Sequence, residues 1–381
     1  MYNLIKSRAE GMRLQKQGDH AIAKIVFSKL LEEDPNNLEN LNQIIDIYMK
    51  TNDFGRAISA CQNSLKLDPN QIDILLQLGM AFYHCGDIRN CTQNIFRAFQ
   101  IDPSRTDIID LWNALKSRPY FIVSGGFQGT HAPERQVFMS AIVDLLKKNL
   151  HLNILEVGTY AGSSTLTWAN AIDKLFKGNC DILCIDAWKH AAKEQYSQEV
   201  ERALVQNRVY EAFLHNKDLV SERVQIDHIQ SLSHLALSKL KETSFDIIYI
   251  DGCHYYEEVL ADISECKRII NDGGIICGDD LELTYQEIDT TFAIKNRRSD
   301  YVKDPKSGKY YHPGVTLAVH ESFGAVSVFR GFWLMQRVGN DFRKVSFKNA
   351  TGVLPKHYPL KLTEKIKRYF DTSNLLGTLI A

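Results

Sequence analysis

The segment EVGTYAGSS, residues 156–164, has the spacing of a turn that can lie close to a ligand. Gly158 and Gly162 let the backbone approach a bound molecule because no Cβ is in the way. The G-x-x-x-G spacing differs from the G-x-G-x-x-G that positions a pyrophosphate, so it disfavours an NAD-dependent oxidoreductase. The alternative is an ordinary glycine turn between a strand and a helix.

Several carboxylates follow apolar segments in the same half of the chain. Asp186 ends CDILCID, Asp251 follows FDIIYI, and Asp279 and Asp280 follow GGIICG. A carboxylate can accept hydrogen bonds from two hydroxyls at once. Carboxylates that come close together raise one another's pKa unless a cation joins them, and oxygen ligands favour Mg²⁺, Mn²⁺ or Ca²⁺. The alternative is that these aspartates only cap the segments that follow.

His254, three residues after Asp251, is the first candidate for a general base. An imidazole with a pKa near neutrality can take a proton from a substrate hydroxyl. His228 and His312 are weaker candidates, and a solvated loop histidine is the alternative for all three.

The elements that must hold these side chains alternate between strands and helices. Strands are predicted at 153–157 and in CDILCIDAW, RVQIDHIQS, FDIIYIDG and GGIICGDD, and a helix is predicted to begin at Ser163 and Ser164. TLAVH and GFWLMQR are predicted to be strands of an antiparallel closing edge. This alternation predicts an α/β domain with a mainly parallel sheet and helices on both faces. Ligands of such sheets bind beyond the carboxyl ends of the strands.

The glycine turn resembles the first motif of the class I S-adenosylmethionine-dependent methyltransferases, a Rossmann-like family. The resemblance implies that the turn accommodates the methionine part of the cofactor and that Asp186 binds its ribose hydroxyls. The cofactor-binding residues that it implies are Glu156, Gly158, Thr159, Tyr160, Gly162, Ser163, Asp186, Ala187, Ser231 and Asp251.

The segment DGCHYY, residues 251–256, with Asp262 and the NDGG of residues 271–274, is closely similar to small-molecule O-methyltransferases of the macrocin type. The carboxylate placement also resembles the metal-dependent catechol O-methyltransferases. The likeness spans residues 125–337, including the IDAW of residues 185–188 and the HPGV of residues 312–315.

In those relatives the fourth and fifth strands are neighbours, and their ends supply the metal ligands. The resemblance therefore implies a divalent cation, with magnesium expected, at Asp251, Asp279 and Asp280. It also implies a hydroxylated small molecule or sugar as the methyl acceptor. Cys253 stands where some macrocin-type relatives have an acidic residue that is a proposed base, so the identity of the base is left open, with His254 as the next candidate. His254 and Asp251 are the predicted catalytic residues.

The first third of the chain repeats with a period of 34 residues. Pro35, Pro69 and Pro103 each follow an aspartate. The period and register are similar to those of tetratricopeptide repeats, which are pairs of antiparallel helices. Three repeats are predicted, with a closing helix in residues 104–117. Such stacks resemble modules that dock peptides or subunits, and a rigid spacer or a dimer surface is the alternative.

Composition and charge limit the partners, the location and the kinds of metal site that can be expected. The net charge is −1 over 381 residues, so no overall electrostatic attraction to nucleic acid is expected. No apolar run is long enough for a membrane span, and no signal segment opens the sequence, so a cytoplasmic location is expected. The eight cysteines form no CxxC pair, which disfavours a structural zinc site.

The predicted domains are residues 1–118, 119–340 and a C-terminal extension, 341–381, that docks on the catalytic domain or on a second subunit. Two segments are expected to select the acceptor, residues 189–217 and 283–314. The second is basic and tyrosine-rich, and it is either a lid or a solvated loop. Two other functions stay open: a scaffold that retains the fold without turnover, and a methyltransferase whose acceptor is a protein delivered by the repeats.

Overall fold

The computed structural model describes residues 2–121, 132–189 and 198–380, without the side chains of residues 2–6, 198 and 199. The chain divides into two compact units, Met1–Val123 and Ser124–Ala381. Each unit has hydrophobic clusters of its own. In the part of the chain that the structure describes, no helix is long and apolar enough to cross a membrane.

The first unit is all helical, which confirms the prediction. Its helices are α1 (Tyr2–Lys16), α2 (His20–Glu33), α3 (Leu38–Lys50), α4 (Phe54–Leu67), α5 (Ile72–His84), α6 (Ile88–Ile101) and α7 (Thr106–Ser117). They form three antiparallel pairs and a closing helix.

Small residues allow the two helices of a pair to pack closely. Ala23, Ala57 and Cys91, one from each second helix, are completely buried. Gly79 of α5 faces Ile95 of α6 so closely that a Cβ at position 79 would lie 2.6 Å from the Ile95 Cδ1. The 34-residue recurrence therefore reflects the close packing of two helices, which requires a small residue at the same place in each pair.

The second unit contains an α/β sheet. Its strands are β1 (His151–Val157), β2 (Asn179–Asp186), β3 (Val224–Gln230), β4 (Phe245–Ile250), β5 (Ile270–Gly278), β8 (Ser327–Phe329), β9 (Phe332–Val338) and β10 (Asp341–Lys344). The order in the sheet is β10-β9-β5-β4-β1-β2-β3, and β8 pairs with β9. Strands β1 to β5 are parallel, whereas β9 is antiparallel to β5.

Helices and two small strand pairs complete the unit. The helices are α8 (Arg135–Leu145), α9 (Ser163–Leu175), α10 (Gln198–Val205), α11 (Arg208–Lys217), α12 (Ser233–Leu237), α13 (Tyr256–Ile269), α14 (Thr290–Lys295), α15 (Pro313–Phe323) and α16 (Leu360–Thr372). Strand β6 (Val302–Lys303) pairs with β7 (Tyr310–Tyr311), and β11 (Thr351–Val353) pairs with β12 (Thr378–Ile380).

One predicted strand is wrong. The TLAVH segment lies in helix α15, while GFWLMQR forms β9 as predicted. Pro313 occupies the first turn of α15, where its fixed φ and missing N–H are tolerated. Residues 313–319 are all buried, so the segment is apolar on every side and shows no helical periodicity.

The C-terminal residues belong to the second unit. Thr351 N donates to Asp144 Oδ2 at 2.9 Å, and Val353 N donates to the buried Ser140 Oγ at 2.8 Å. Asn170 Nδ2 donates to the Leu354 carbonyl at 3.0 Å. Side chains of α8 and α9 therefore bind the backbone of residues 351–354.

Candidate functional site

The glycine turn passes directly against the end of β4. Gly158 has a φ of +86°, and a Cβ there would lie 2.0 Å from the Asp251 carbonyl oxygen. Gly162 has a φ of +84° and precedes α9. Both positions therefore require glycine, and the turn brings residues 158–162 next to Asp251.

Glu156 lies in β1 and is completely buried. Its carboxylate accepts hydrogen bonds from Ser164 and, at 2.6 Å, from Thr165. Burial raises the pKa of Glu156 to about 7, although these hydrogen bonds oppose the shift. In this structure Glu156 contacts the first turn of α9 and has no exposed surface with which to touch a cofactor.

Asp186, at the end of β2, holds the turn from the other side. Its Oδ2 accepts from Thr159 N at 2.9 Å and Tyr160 N at 2.8 Å, and its Oδ1 accepts from Trp188 N at 2.6 Å. Burial raises the pKa of Asp186, and these three backbone donors oppose the rise. Asp186 as a residue is partly exposed, and its carboxylate has about four acceptor positions, so the three backbone donors leave one for a ligand hydroxyl.

The other predicted cofactor residues surround the same strand ends. Ser231 N donates to the Asp186 carbonyl at 2.9 Å, and Ala187 is partly exposed beside it. Ser163 Oγ lies 3.0 Å from His357 Nε2, in the C-terminal segment. Burial lowers the pKa of His357 to about 3, so this ring is neutral. His357 therefore lies beside a predicted cofactor-binding residue, and the sequence analysis did not identify it.

Asp251, Asp279 and Asp280 lie near one another at the ends of β4 and β5. Tyr249 Oη donates to Asp251 Oδ2 at 3.1 Å. Burial, followed by the charges of Asp280 and Asp279, raises the pKa of Asp251 well above its usual range. Burial also raises the pKa of Asp279 to about 7.

Arg135, in the first turn of α8, supplies a positive charge at this edge. Its Nη1 lies 2.5 Å from Asp279 Oδ1 and 3.5 Å from Asp280 Oδ1, and its Nη2 lies 3.3 Å from Glu282 Oε1. Its Nε donates to the Arg330 carbonyl at 2.5 Å. The guanidinium therefore lies beside the carboxylates for which the sequence predicted a metal ion.

Two histidines complete the cluster. His254 Nε2 lies 3.0 Å from Asp280 Oδ2, and His254 Nδ1 lies 2.5 Å from Asp300 Oδ1. His312 Nδ1 lies 3.0 Å from Glu282 Oε2, and the two imidazole centroids are 4.5 Å apart. His228, the other histidine considered, lies within β3, and its Nε2 is 2.8 Å from the Tyr210 hydroxyl.

The charges of this cluster act on each other. Although burial opposes the shift, Asp280 and Asp300 raise the pKa of His254 well above its usual range. In return, and against the effect of burial, His254 and His312 hold the pKa of Asp280 far below its usual range. His254 is therefore a cation near neutral pH and Asp280 is an anion.

Among the described residues, one group of metal-type ligands has its ligand atoms within 4.8 Å of one another: His254, Asp280 and His312. It shares only Asp280 with the predicted set of three aspartates. Asp300 and Glu282 extend this group, and neither was singled out from the sequence. The sequence could have indicated Glu282 only through its position, two residues after Asp280.

The two predicted acceptor-selecting segments are largely folded. Within residues 189–217, α10 and α11 are helical, while residues 190–197 lie outside the described part of the chain. Residues 283–314 form α14 and the β6–β7 pair, and their buried Asp304 accepts from Asp289 N at 2.8 Å. The second segment is thus packed, and it carries Asp300 and His312 to the site.

Two family models match parts of the chain. Residues 155–281 match the family model described as a methyltransferase domain, and residues 39–71 match the tetratricopeptide repeat model. No curated protein is similar enough to the sequence to count as a match.

Solved structures similar to this chain include two tetratricopeptide-repeat domains and a secretion chaperone. The first repeat domain of Spaghetti (RPAP3) bound to an HSP90 peptide is 17% identical, covers 29% of this chain and 89% of that chain, and has a TM-score of 0.28. The TPR2B domain of yeast Sti1 in its pHsp70 complex is 16% identical, covers 30% and 97%, and has a TM-score of 0.28. The Yersinia enterocolitica secretion chaperone SycD with a YopD peptide is 13% identical, covers 30% and 94%, and has a TM-score of 0.29.

The fold and the two family matches together define the class of protein. The chain carries a Rossmann-like methyltransferase domain behind a region of tetratricopeptide repeats. A methyltransferase domain implies S-adenosylmethionine as the methyl donor.

Proposed function

We propose that this protein transfers the methyl group of S-adenosylmethionine to a hydroxyl of a small molecule or sugar. One observation carries the proposal. The glycine turn, Asp186 and the ionisable cluster at Asp251 follow the carboxyl ends of the neighbouring strands β1, β2, β4 and β5. This edge is where open α/β sheets bind their ligands.

The residues at the turn fit the donor. Asp186 keeps an acceptor position for a ribose hydroxyl, and Gly158 and Gly162 give the turn a backbone conformation in which two positions carry no side chain. When bound, S-adenosylmethionine supplies an electrophilic methyl group, so the protein needs no nucleophile of its own. The protein's task is then to bind and orient the two reactants.

Proton acceptance from the hydroxyl falls to Asp251 or His254. In its ionised form Asp251 is the better base, because burial makes its carboxylate more basic than an ordinary aspartate, and the raised pKa means that the reaction requires a pH at which Asp251 has lost its proton. His254 is held as a cation by Asp280 and Asp300, which face its two ring nitrogens, so it takes no proton in this arrangement. We therefore propose Asp251 as the base and His254 as a fixed positive charge beside the reacting hydroxyl.

A divalent cation held by three aspartates does not fit the residues as they are arranged here. Arg135 already contacts Asp279 at 2.5 Å and also faces Asp280. A bound cation would lower the pKa of a ligated hydroxyl, and in its absence the positive charges of Arg135 and His254 favour an oxyanion at this edge. No step of the proposed reaction depends on a metal.

We propose protein docking for the repeats, which the tetratricopeptide match supports. Charged side chains of adjacent repeats pair along the first helices of the stack: Arg8 contacts Glu39, and Arg105 lies 2.7 Å from Asp73. A protein acceptor delivered by the repeats is the second candidate function, and it uses the same methyltransferase site.

Methyl transfer from isotopically labelled donor tests the proposal. The purified chain is incubated with a panel of hydroxylated small molecules and sugars, and labelled product is measured by mass spectrometry. We expect Asp251→Asn to lower turnover by about 10²- to 10⁴-fold, the usual contribution of a general base. Asp272→Asn, an exposed residue at the other end of the same sheet, is the matched control and should leave turnover unchanged. Label found only on added protein would instead support the second candidate.

A further inference from the structure

We propose that His254, Asp280 and His312 form a binding site for a divalent transition-metal ion, with Asp300 as the residue that orients both imidazoles. This site has a different donor set from the three aspartates discussed above. An ion bound at His254 Nε2 would replace the proton that this nitrogen carries in the ion pair with Asp280. The site therefore does not depend on the proposed methyl transfer, and it can be tested without S-adenosylmethionine.

The ligand atoms are already close to a coordination sphere. His254 Nε2 lies 3.0 Å from Asp280 Oδ2, and His312 Nδ1 lies 3.9 Å from Asp280 Oδ1. Metal–nitrogen and metal–oxygen bonds of about 2.0–2.2 Å place neighbouring ligand atoms about 3–3.5 Å apart. All three ligand atoms lie within 4.8 Å of one another, so side-chain shifts of about 1–2 Å would complete the site.

Asp300 contacts the outer nitrogen of both rings. Its Oδ1 lies 2.5 Å from His254 Nδ1 and, at ion-pair distance, 3.8 Å from His312 Nε2. On the inner side, His254 Nε2 faces Asp280, while His312 Nδ1 lies 3.0 Å from Glu282 Oε2 and 3.9 Å from Asp280 Oδ1. Metal-binding histidines usually direct their second ring nitrogen to a carboxylate or carbonyl, which fixes the tautomer and the ring orientation. One carboxylate that faces both outer nitrogens is the arrangement expected around an imidazole-bound ion.

The fold brings these residues together from three separate segments. His254 follows β4, Asp280 follows β5, and His312 precedes α15. Gly314 allows the approach, since a Cβ there would lie 2.2 Å from the His254 carbonyl oxygen. The packing of α15 against the chain after β4 thus places His312 beside His254.

The donor set selects the class of ion. Two imidazoles with one carboxylate suit Zn²⁺, Fe²⁺, Co²⁺ or Mn²⁺, whereas Mg²⁺ and Ca²⁺ prefer sites made of oxygen. Arg135 strengthens this selection, because it binds the Asp279 side of the edge and repels a second cation there. The ion is therefore expected on the histidine side of Asp280.

Metal binding to the full-length protein tests the proposal directly. The chain is stripped with chelator, shown to be folded by circular dichroism, and titrated with Zn²⁺ by calorimetry. We expect one equivalent to bind. His312→Gln should weaken binding at least 10-fold, and Asp300→Asn should weaken it by about 10- to 100-fold, the usual effect of losing an orienting partner. His320→Gln, on the same helix but stacked on Tyr285, is the matched control and should bind as the parent does.

A spectroscopic readout separates histidine ligation from carboxylate ligation. Cu²⁺ bound at this site should show nitrogen superhyperfine splitting in its electron paramagnetic resonance spectrum, and His312→Gln should reduce it. Folded protein that binds no transition metal would overturn the proposal. So would an ion whose affinity is lowered by Asp251→Asn but not by His312→Gln, because that pattern identifies a three-aspartate site.

Discussion

At the scale of single residues, the site is organised by buried charges that fix one another's protonation. Arg135, His254 and His312 stabilise Asp280 as an anion, whereas Asp251 and Asp279 are shifted towards the protonated form. A buried like-charged cluster needs such compensation, since each uncompensated charge costs several kcal/mol. The sequence indicated the acidic residues of this cluster, but it contained no signal for Arg135, about 145 residues away from Asp280.

Glu156 gives a pH-dependent prediction. Its folded-state pKa of about 7 lies above its unfolded value of about 4.5, so the folded state binds the extra proton. Glu156 therefore costs no stability below about pH 4.5, and its cost grows as the pH rises towards 7 and is complete above it. Glu156→Gln should remove that cost, which is at most about 3 kcal/mol.

Urea unfolding of the parent and of Glu156→Gln between pH 5 and 8, a range chosen around the pKa of about 7, measures this effect. The free energy of unfolding of the variant, relative to the parent, should rise with pH. A constant difference across the range would contradict the assignment of a raised pKa to Glu156.

Gly158 gives a second prediction at this scale. Gly158→Ala places a Cβ 2.0 Å from the Asp251 carbonyl oxygen and strains a φ of +86°. We expect a loss of more than about 2 kcal/mol in the free energy of unfolding, together with loss of donor binding. Gly273→Ala is the matched control, because Gly273 also has a positive φ but has no atom near its Cβ position.

Gly273→Ala should therefore cost only the backbone strain of about 1 kcal/mol. Thermal unfolding of both variants gives the comparison. Equal destabilisation of the two would show that the close approach of Gly158 to β4 is not what requires glycine there.

At the scale of elements, alternation and turn spacing were enough to predict most of the sheet. Strands β1 to β5 and β9 fall where the sequence placed them, because each is a short apolar run bounded by polar or glycine-containing turns. Helix α15 was missed for a physical reason: it is buried on all sides, and its apolar residues show no period. The consequence for the site is direct, since α15 carries His312 at its beginning.

Ser140 tests the attachment of the C-terminal residues. Its buried hydroxyl donates to the Val137 carbonyl at 2.7 Å and accepts from Val353 N at 2.8 Å. Ser140→Ala leaves a buried N–H without its acceptor, so we expect a loss of about 1–3 kcal/mol in the free energy of unfolding. Ser238→Ala, at an exposed position after α12, should change it by less than about 0.5 kcal/mol.

Chemical denaturation with both variants gives the answer. An unchanged midpoint for Ser140→Ala would show that residues 351–354 are held by other contacts.

At the scale of the whole molecule, each unit has its own core, so the two halves should respond separately to substitution. Gly79→Leu adds a side chain where a Cβ alone would lie 2.6 Å from the Ile95 Cδ1. We expect it to destabilise the repeats by about 1–3 kcal/mol and to leave the affinity for S-adenosylmethionine within about two-fold of the parent. Gly55→Leu, where no atom lies within 4 Å of the Cβ position, is the matched control for the repeats.

Circular dichroism and calorimetry on the same samples separate the two effects. A large loss of donor affinity in Gly79→Leu would contradict the independence of the two units.

Donor binding is the measurement that tests the central claim most directly. Calorimetric titration of the purified chain with S-adenosylmethionine should give a dissociation constant on the order of micromolar. Asp186→Ala should weaken it by about 10- to 100-fold, as expected for the loss of hydrogen bonds to a charged group. Asp181→Ala, an exposed residue on the same strand, should bind as the parent does. A folded parent protein that binds no S-adenosylmethionine, or an Asp186→Ala variant that binds it equally well, would contradict the account.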